Sequence, residues 1–299
     1  MISETDQEES PKLRSVTTRI FQQLIHYLKY ATSAYSPFCL KPNGNSLVTH
    51  FSNALADIQG YVARDDDRKE IIVALRGSTS ILHMLLDAQI TLVPFLSLGV
   101  DAPGIRLSLT MTLANTDLNP THALSLLTAN VRVHSGFLTA WNSVAIQIAA
   151  VLKMELSRNR GYDLITTGHS LGGAISTLAA VAFKQTYDDA VKVRNYTYGA
   201  PRIGNRHFAE FANHLLGTNA FRVVHGHDGV PTMIPTSLGY YHHGVEYWQT
   251  SNDARHETTF QCSLTDGEDS QCSASIPSEG INRDHTEYFG IFTTTPFCL

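Results

Sequence analysis

The segment Gly168-His169-Ser170-Leu171-Gly172-Gly173 places one hydroxyl inside a G-x-S-x-G frame. A serine there is a candidate nucleophile when the frame joins a strand to a helix, because the tight turn holds its side chain clear of the main chain. The sequence supplies that context. Asp163-Leu164-Ile165-Thr166-Thr167 reads as a short buried strand, and Ala174 to Lys184 is rich in Ala, Leu and Val at helical spacing. Gly168 and Gly172 allow close approach of strand and helix, and the helix points N–H groups at negative charge forming beside Ser170. The frame alone also occurs in glycine-rich turns with an idle serine, so the flanking elements carry the weight.

A serine hydroxyl attacks slowly unless a histidine takes its proton, and that histidine needs a carboxylate to hold its tautomer. Where the nucleophile sits on such an elbow, the acid and then the histidine follow it along the chain. Asp228 fits the acid. It lies just past an expected strand at Phe221 to His225, in the loop Val224-His225-Gly226-His227-Asp228-Gly229-Val230-Pro231. His285, in Arg283-Asp284-His285-Thr286-Glu287-Tyr288, fits the base. The chain has 14 histidines, and His225, His227, His242, His243 and His256 also follow Ser170; order and placement favour His285 among them. His225, His227 and Asp228 also admit a metal-cluster reading, although zinc sites usually draw on separated, well-spaced ligands. Acyl transfer through serine calls for no metal and no cofactor.

The oxygen of a tetrahedral intermediate needs preformed donors, one of them the N–H after the nucleophile, here Leu171. A second is expected from Ser78, in the turn Arg76-Gly77-Ser78-Thr79-Ser80 that ends a strand at Ile71 to Leu75. An ordinary turn and helix cap is the plainer reading of Ser78. Just beyond, Ile81, Leu82, Met84, Leu85 and Leu86 surround a polar stripe of Ser80, His83 and Asp87 at helical spacing. Residues 80–88 therefore read as a lid or as a core helix, and their place beside the oxyanion turn favours a lid. Val230 and Ile234, just past Asp228, are acyl-groove candidates, with core packing as the other reading.

The elements that must hold these residues follow from pattern. Val16, Ile20, Leu24, Leu28 and Ala31 form one stripe of a helix, and Asp57 to Ala63 and Glu70 to Leu75 read as strands joined by a charged turn. A helix at Thr139 to Ser157 follows, then strand 163–167, helix 171–187, strand 191–198, helix Asn205 to Leu216 and strand Phe221 to His225. Such alternation implies an α/β fold, a mostly parallel sheet with helices on both faces. Residues 1–14 read as a flexible leader and 15–299 as one domain, since no repeat or Pro/Ser/Gly-rich linker divides them. Residues 95–130 lack a sustained period and read as an insertion.

Composition narrows the classes. With 43% hydrophobic and 16% charged residues in 299, the chain is globular. A net charge of −5, a pI near 6.3 and no Lys/Arg cluster argue against nucleic acid as a partner. No apolar run is expected to span a bilayer. Four cysteines, without zinc or redox spacing, favour two disulfides and an oxidising compartment over four buried thiols. Met1 to Lys12 is polar and acidic, so secretion requires that a targeting segment was already removed. The sequon Asn195-Tyr196-Thr197 falls in an expected strand and is a poor glycan acceptor.

Taken in order, several segments resemble the fungal class 3 lipase family of the α/β-hydrolase fold, which includes feruloyl esterases and mono- and diacylglycerol lipases. They are Ala34-Tyr35 with Cys39, Leu75-Arg76-Gly77-Ser78-Thr79-Ser80, Val133-His134-Ser135-Gly136-Phe137, Gly168 to Gly173, Tyr198-Gly199-Ala200-Pro201-Arg202-Ile203-Gly204-Asn205, Asp228-Gly229-Val230-Pro231 and Asp284-His285. The resemblance implies Ser170 as nucleophile, Asp228 as acid, His285 as base, and Ser78 with Leu171 as the oxyanion hole. It further implies disulfides Cys39–Cys298 and Cys262–Cys272. The chain departs from many members at His83-Met84 in the lid, where they carry Asn-Trp, and in the longer spacing from Ser78 to His134. The extra residues are expected to lie near the lid and shape the pocket. The implied protein is a secreted, monomeric carboxylic ester hydrolase, a lipase acting on acylglycerols at a lipid–water interface. Feruloyl or short-chain esterase and phospholipase activities are the alternatives, and a non-catalytic lipid-binding protein of the same fold is the rival from another class.

Overall fold

The computed structural model describes residues 13–77, 90–97 and 130–299. Ser78, the lid segment 80–88 and most of the 95–130 insertion lie outside the described residues.

Nine strands, numbered here in chain order, build the main sheet: β1 Arg14–Ser15, β2 Ser46–Asn53, β3 Ile58–Asp65, β4 Glu70–Leu75, β5 Asp163–His169, β6 Val193–Tyr198, β7 Ala220–His225, β8 Glu246–Gln249 and β9 Thr259–Gln261. Their order across the sheet is β1-β9-β8-β7-β6-β5-β4-β3-β2. Strands β4 to β8 run parallel, and the flanking pairs are antiparallel. The expected strands are present, and β1, β2, β8 and β9 are additions. Arg14, placed in the leader by sequence, pairs with Gln261 in β9.

Side chains alternate across this sheet, and each face has its own apolar cluster. Ile71, Val73 and Leu75 of β4 join one cluster, and Ile72 and Ala74 join the other. Over the second lies α1 (Thr18–Ser33), which buries Leu24, Tyr27, Leu28 and Ala31. Over the first lie α2 (Ser135–Arg158), α3 (Leu171–Tyr187) and α4 (Arg206–Leu216), contributing Trp141, Ile148, Leu178 and Phe208. Helix α2 begins before Thr139 because His134 caps it, its Nδ1 accepting from the N–H groups of Gly136 and Phe137. By length and hydropathy α2 matches a bilayer-spanning segment, which corrects the expectation that no run would; half of that stretch is buried against the rest of the fold.

A second sheet joins Leu92–Pro94, Arg132–His134, Gly204–Asn205 and Tyr240–Tyr241. The first two pair antiparallel, with Pro94 opposite Arg132, so the insertion leaves and returns at one place. Both disulfides implied by the resemblance are formed, Cys39–Cys298 and Cys262–Cys272. The sequon is buried: the Asn195 amide donates to Thr166 Oγ1 at 2.9 Å and Ser176 Oγ at 3.1 Å, leaving nothing for a glycan.

Candidate active site

Strand β5 stops at His169 and α3 starts at Leu171, leaving Ser170 alone at the junction with φ 59° and ψ −129°. A residue with a Cβ holds that conformation only when its surroundings impose it. Here Ser170 N–H donates to Tyr198 O at 2.8 Å, and its carbonyl accepts from Gly173 N at 3.0 Å. The neighbours pack to backbone contact. A Cβ on Gly168 would fall 2.3 Å from the Gly172 carbonyl, and one on Gly172 would fall 2.2 Å from Leu75 O. Leu171 is the first helical residue, so its N–H has no acceptor within α3.

His285 reaches this hydroxyl from the other end of the chain. Its Nε2 lies 2.9 Å from Ser170 Oγ, and its Nδ1 lies 2.9 and 3.0 Å from the two carboxylate oxygens of Asp228. All three residues are buried, at 2 to 5% exposure, so their interactions act with little solvent screening. Burial by itself would raise the Asp228 carboxyl; His285, the Tyr288 hydroxyl and the Val230 N–H outweigh it and hold it below its ordinary value. Asp228 thus stays ionised, ready to stabilise an imidazolium.

Asp228 follows β7, and His285 sits in the single-turn helix α5 (Arg283–Thr286), capped by Asn282. Several bonds fix these two loops to each other. Asn282 Nδ2 donates to His227 O at 2.6 Å, His227 N–H donates to Asp284 Oδ2 at 2.8 Å, and His225 Nδ1 donates to Glu287 O. Arg202 ties the acid loop to the smaller disulfide loop through Ile234 O and Glu268.

The model of the family described as lipase (class 3) matches residues 72–238. The chain belongs to the class 3 lipase family. It is 32% identical over 250 residues to the secreted mono- and diacylglycerol lipase 1 of Fusarium solani, covering 78% of this chain and 65% of that protein. Against the triacylglycerol lipase structure from Penicillium expansum the TM-score is 0.79, with 26% identity over 95% of this chain and 98% of that one. A third relative is a triacylglycerol lipase whose structure was described as having a serine protease triad at its catalytic centre; its TM-score is 0.75, with 27% identity over 96% of this chain and all of that one. The α/β-hydrolase fold expected from the ordered motifs is the fold of this family.

In this class 3 lipase the structure brings together Ser170, Asp228, His285 and Leu171. It buries Val230 and Ile234, at 0 and 1% exposure, in the larger apolar cluster. His225, His227 and Asp228 do not form a metal site: the Asp228 carboxylate is taken by His285 and Tyr288, and His225 Nδ1 by the main chain. Sequence reasoning missed two residues at the site. Tyr288 donates its hydroxyl to Asp228 Oδ2, and Gly199, at φ +58°, stands where any Cβ would lie 2.5 Å from Asp228 Oδ2 and 2.9 Å from His285 Nδ1. Both fall in segments read from sequence, Asp284 to Gly290 and Tyr198 to Asn205, but only the folded chain shows what they face.

Proposed function

We propose that this class 3 lipase is a carboxylic ester hydrolase that acts on acylglycerols through Ser170, His285 and Asp228. The observation that carries the reading is the unbroken contact from Ser170 Oγ to His285 Nε2, and from His285 Nδ1 to Asp228, in a buried setting. The hydroxyl attacks the ester carbonyl while Nε2 takes its proton, and Asp228 stabilises the imidazolium. The Leu171 N–H receives the developing oxyanion, with Ser78 as the second donor. His285 then protonates the departing alcohol, leaving an acyl-enzyme on Ser170. Water, deprotonated by the same nitrogen, releases the acid.

Two relatives named for acylglycerol substrates support that substrate class. The apolar run Ile81 to Leu86 supports a lid that opens on lipid. The chain works as a monomer outside the cell: two disulfides suit an oxidising compartment, and the Fusarium relative is named as secreted.

A fluorophosphonate, which forms a covalent adduct with an activated serine, tests the site. The expected product is one adduct mapped by mass spectrometry to Ser170, formed at least about a thousandfold more slowly in His285→Ala. An adduct at another residue, or labelling that ignores His285→Ala, contradicts the proposal.

A further inference from the structure

Tyr35 stands among the ordered sequence motifs, yet the triad chemistry gives it no part. Its Oη lies 2.7 Å from His169 Nδ1, and His169 Nε2 lies 2.8 Å from the main-chain oxygen of His285. A carbonyl only accepts, so His169 carries its hydrogen on Nε2; Nδ1 then offers a lone pair, and the Tyr35 hydroxyl donates to it. Gly77, two residues past β4, packs against the Tyr35 oxygen. Burial keeps both side chains in the required form, lowering His169 to about 3 and raising the Tyr35 phenol.

Geometry makes this chain of bonds a joint between separate elements. A Cβ on Gly77 would fall 2.3 Å from Tyr35 Oη, 2.8 Å from His169 O and 3.1 Å from Ser170 Cβ, so the end of β4, the second residue after α1 and the elbow meet at one point. His285 needs such a joint. Helix α5 has four residues and is followed by extended Glu287, so the His285 carbonyl has no acceptor role left inside the helix. His169 takes up that carbonyl, and its ring lies 4.5 Å from the His285 ring between centroids.

We propose that Tyr35 and His169 are positioning residues, joining the nucleophile elbow to the His285 main chain in one hydrogen-bonded chain, packed against Gly77, that holds the base on Ser170. The inference rests on the reading of Ser170 and His285 given above.

Its test is a double-mutant cycle in acylglycerol hydrolysis, with kcat expressed per serine titrated by phosphonate so that only folded sites count. Tyr35→Phe breaks the chain at one end, and His169→Gln keeps an amide within reach of the His285 carbonyl but loses Tyr35. Each is expected to lower kcat about tenfold with KM within about twofold, and the double variant to be no worse than either. In the unsubstituted protein, ¹⁵N NMR is expected to find the His169 hydrogen on Nε2 from about pH 5 to about pH 9. A kcat unchanged in Tyr35→Phe, an effect on KM alone, losses that multiply in the double variant, or a hydrogen on Nδ1 each overturns the inference and leaves the triad reading standing. Hydrolysis that survives Ser170→Ala strikes the triad reading instead.

Discussion

Asp228 Oδ2, the Tyr288 hydroxyl and His285 Nδ1 converge on the space that a side chain at residue 199 would occupy, with clearances of 2.5, 2.7 and 2.9 Å from a Cβ there. Gly199→Ala therefore forces the acid and base apart, and its φ of +58° adds strain of its own. The expected outcome is a fall in kcat of at least about a hundredfold with the fold retained by circular dichroism, because small misplacements of reacting groups are costly. Activity near the unsubstituted level would show that the acid–base contact tolerates displacement. The triad was legible in sequence because a local frame marks Ser170, and chain order with loop placement marks Asp228 and His285. Gly199, Tyr288 and Tyr35 were not, since each acts on partners far along the chain: Tyr288 lies 60 residues from Asp228 and Tyr35 lies 134 from His169. No period or spacing encodes such contacts.

Buried neutral histidines fasten several elements. His134 caps α2 through an Nδ1 lone pair, His169 ends β5, and His243 lies just before β8 with its carbonyl accepting from Arg222. Burial lowers His134 to about 4, and His169 and His243 to about 3, with the neighbouring His285 adding to the effect at His169 and Arg222 at His243. These folded values lie below those of the unfolded chain, so below about pH 6.5 the unfolded state binds more protons and stability is lost as the pH falls. The loss at pH 5 is about 2 kcal/mol for each histidine, relative to neutral pH. Asp228, also held below its ordinary value, has the same sign, but its contribution is lost as pH falls through the ordinary carboxylate range, below this window. Urea unfolding at pH 7 and pH 5 is expected to show a drop of several kcal/mol; equal stability at the two values contradicts the assignment of these histidines as neutral. At this scale the parallel strands were legible because burial on both faces makes them apolar. The half-exposed β2 and the short β8, with polar Glu246 and Gln249 buried, carry no such run. The start of α2 was missed by four residues because its cap is a histidine instead of the usual Ser, Thr, Asp or Asn.

Across the molecule, the parallel strands deliver chemistry to one end of the sheet: Ser170 follows β5, Gly199 follows β6, Asp228 follows β7, and Gly77 lies just past β4. The Cys39–Cys298 bond closes a span of 259 residues and Cys262–Cys272 one of 10, so by loop closure the first restricts the unfolded chain more. It also ties the segment after α1, which carries Tyr35, to the end of the chain that carries His285. The central claim is that this framework serves Ser170-dependent hydrolysis of acylglycerols. The direct measurement is the hydrolysis rate of a triacylglycerol, titrated from dissolved monomer to emulsion, beside that of methyl ferulate, with Ser170→Ala as the blank. The rate is expected to rise when the emulsion forms, to exceed that on the ferulate and to vanish in the blank. Preference for the ferulate, or hydrolysis that persists without the Ser170 hydroxyl, would contradict it.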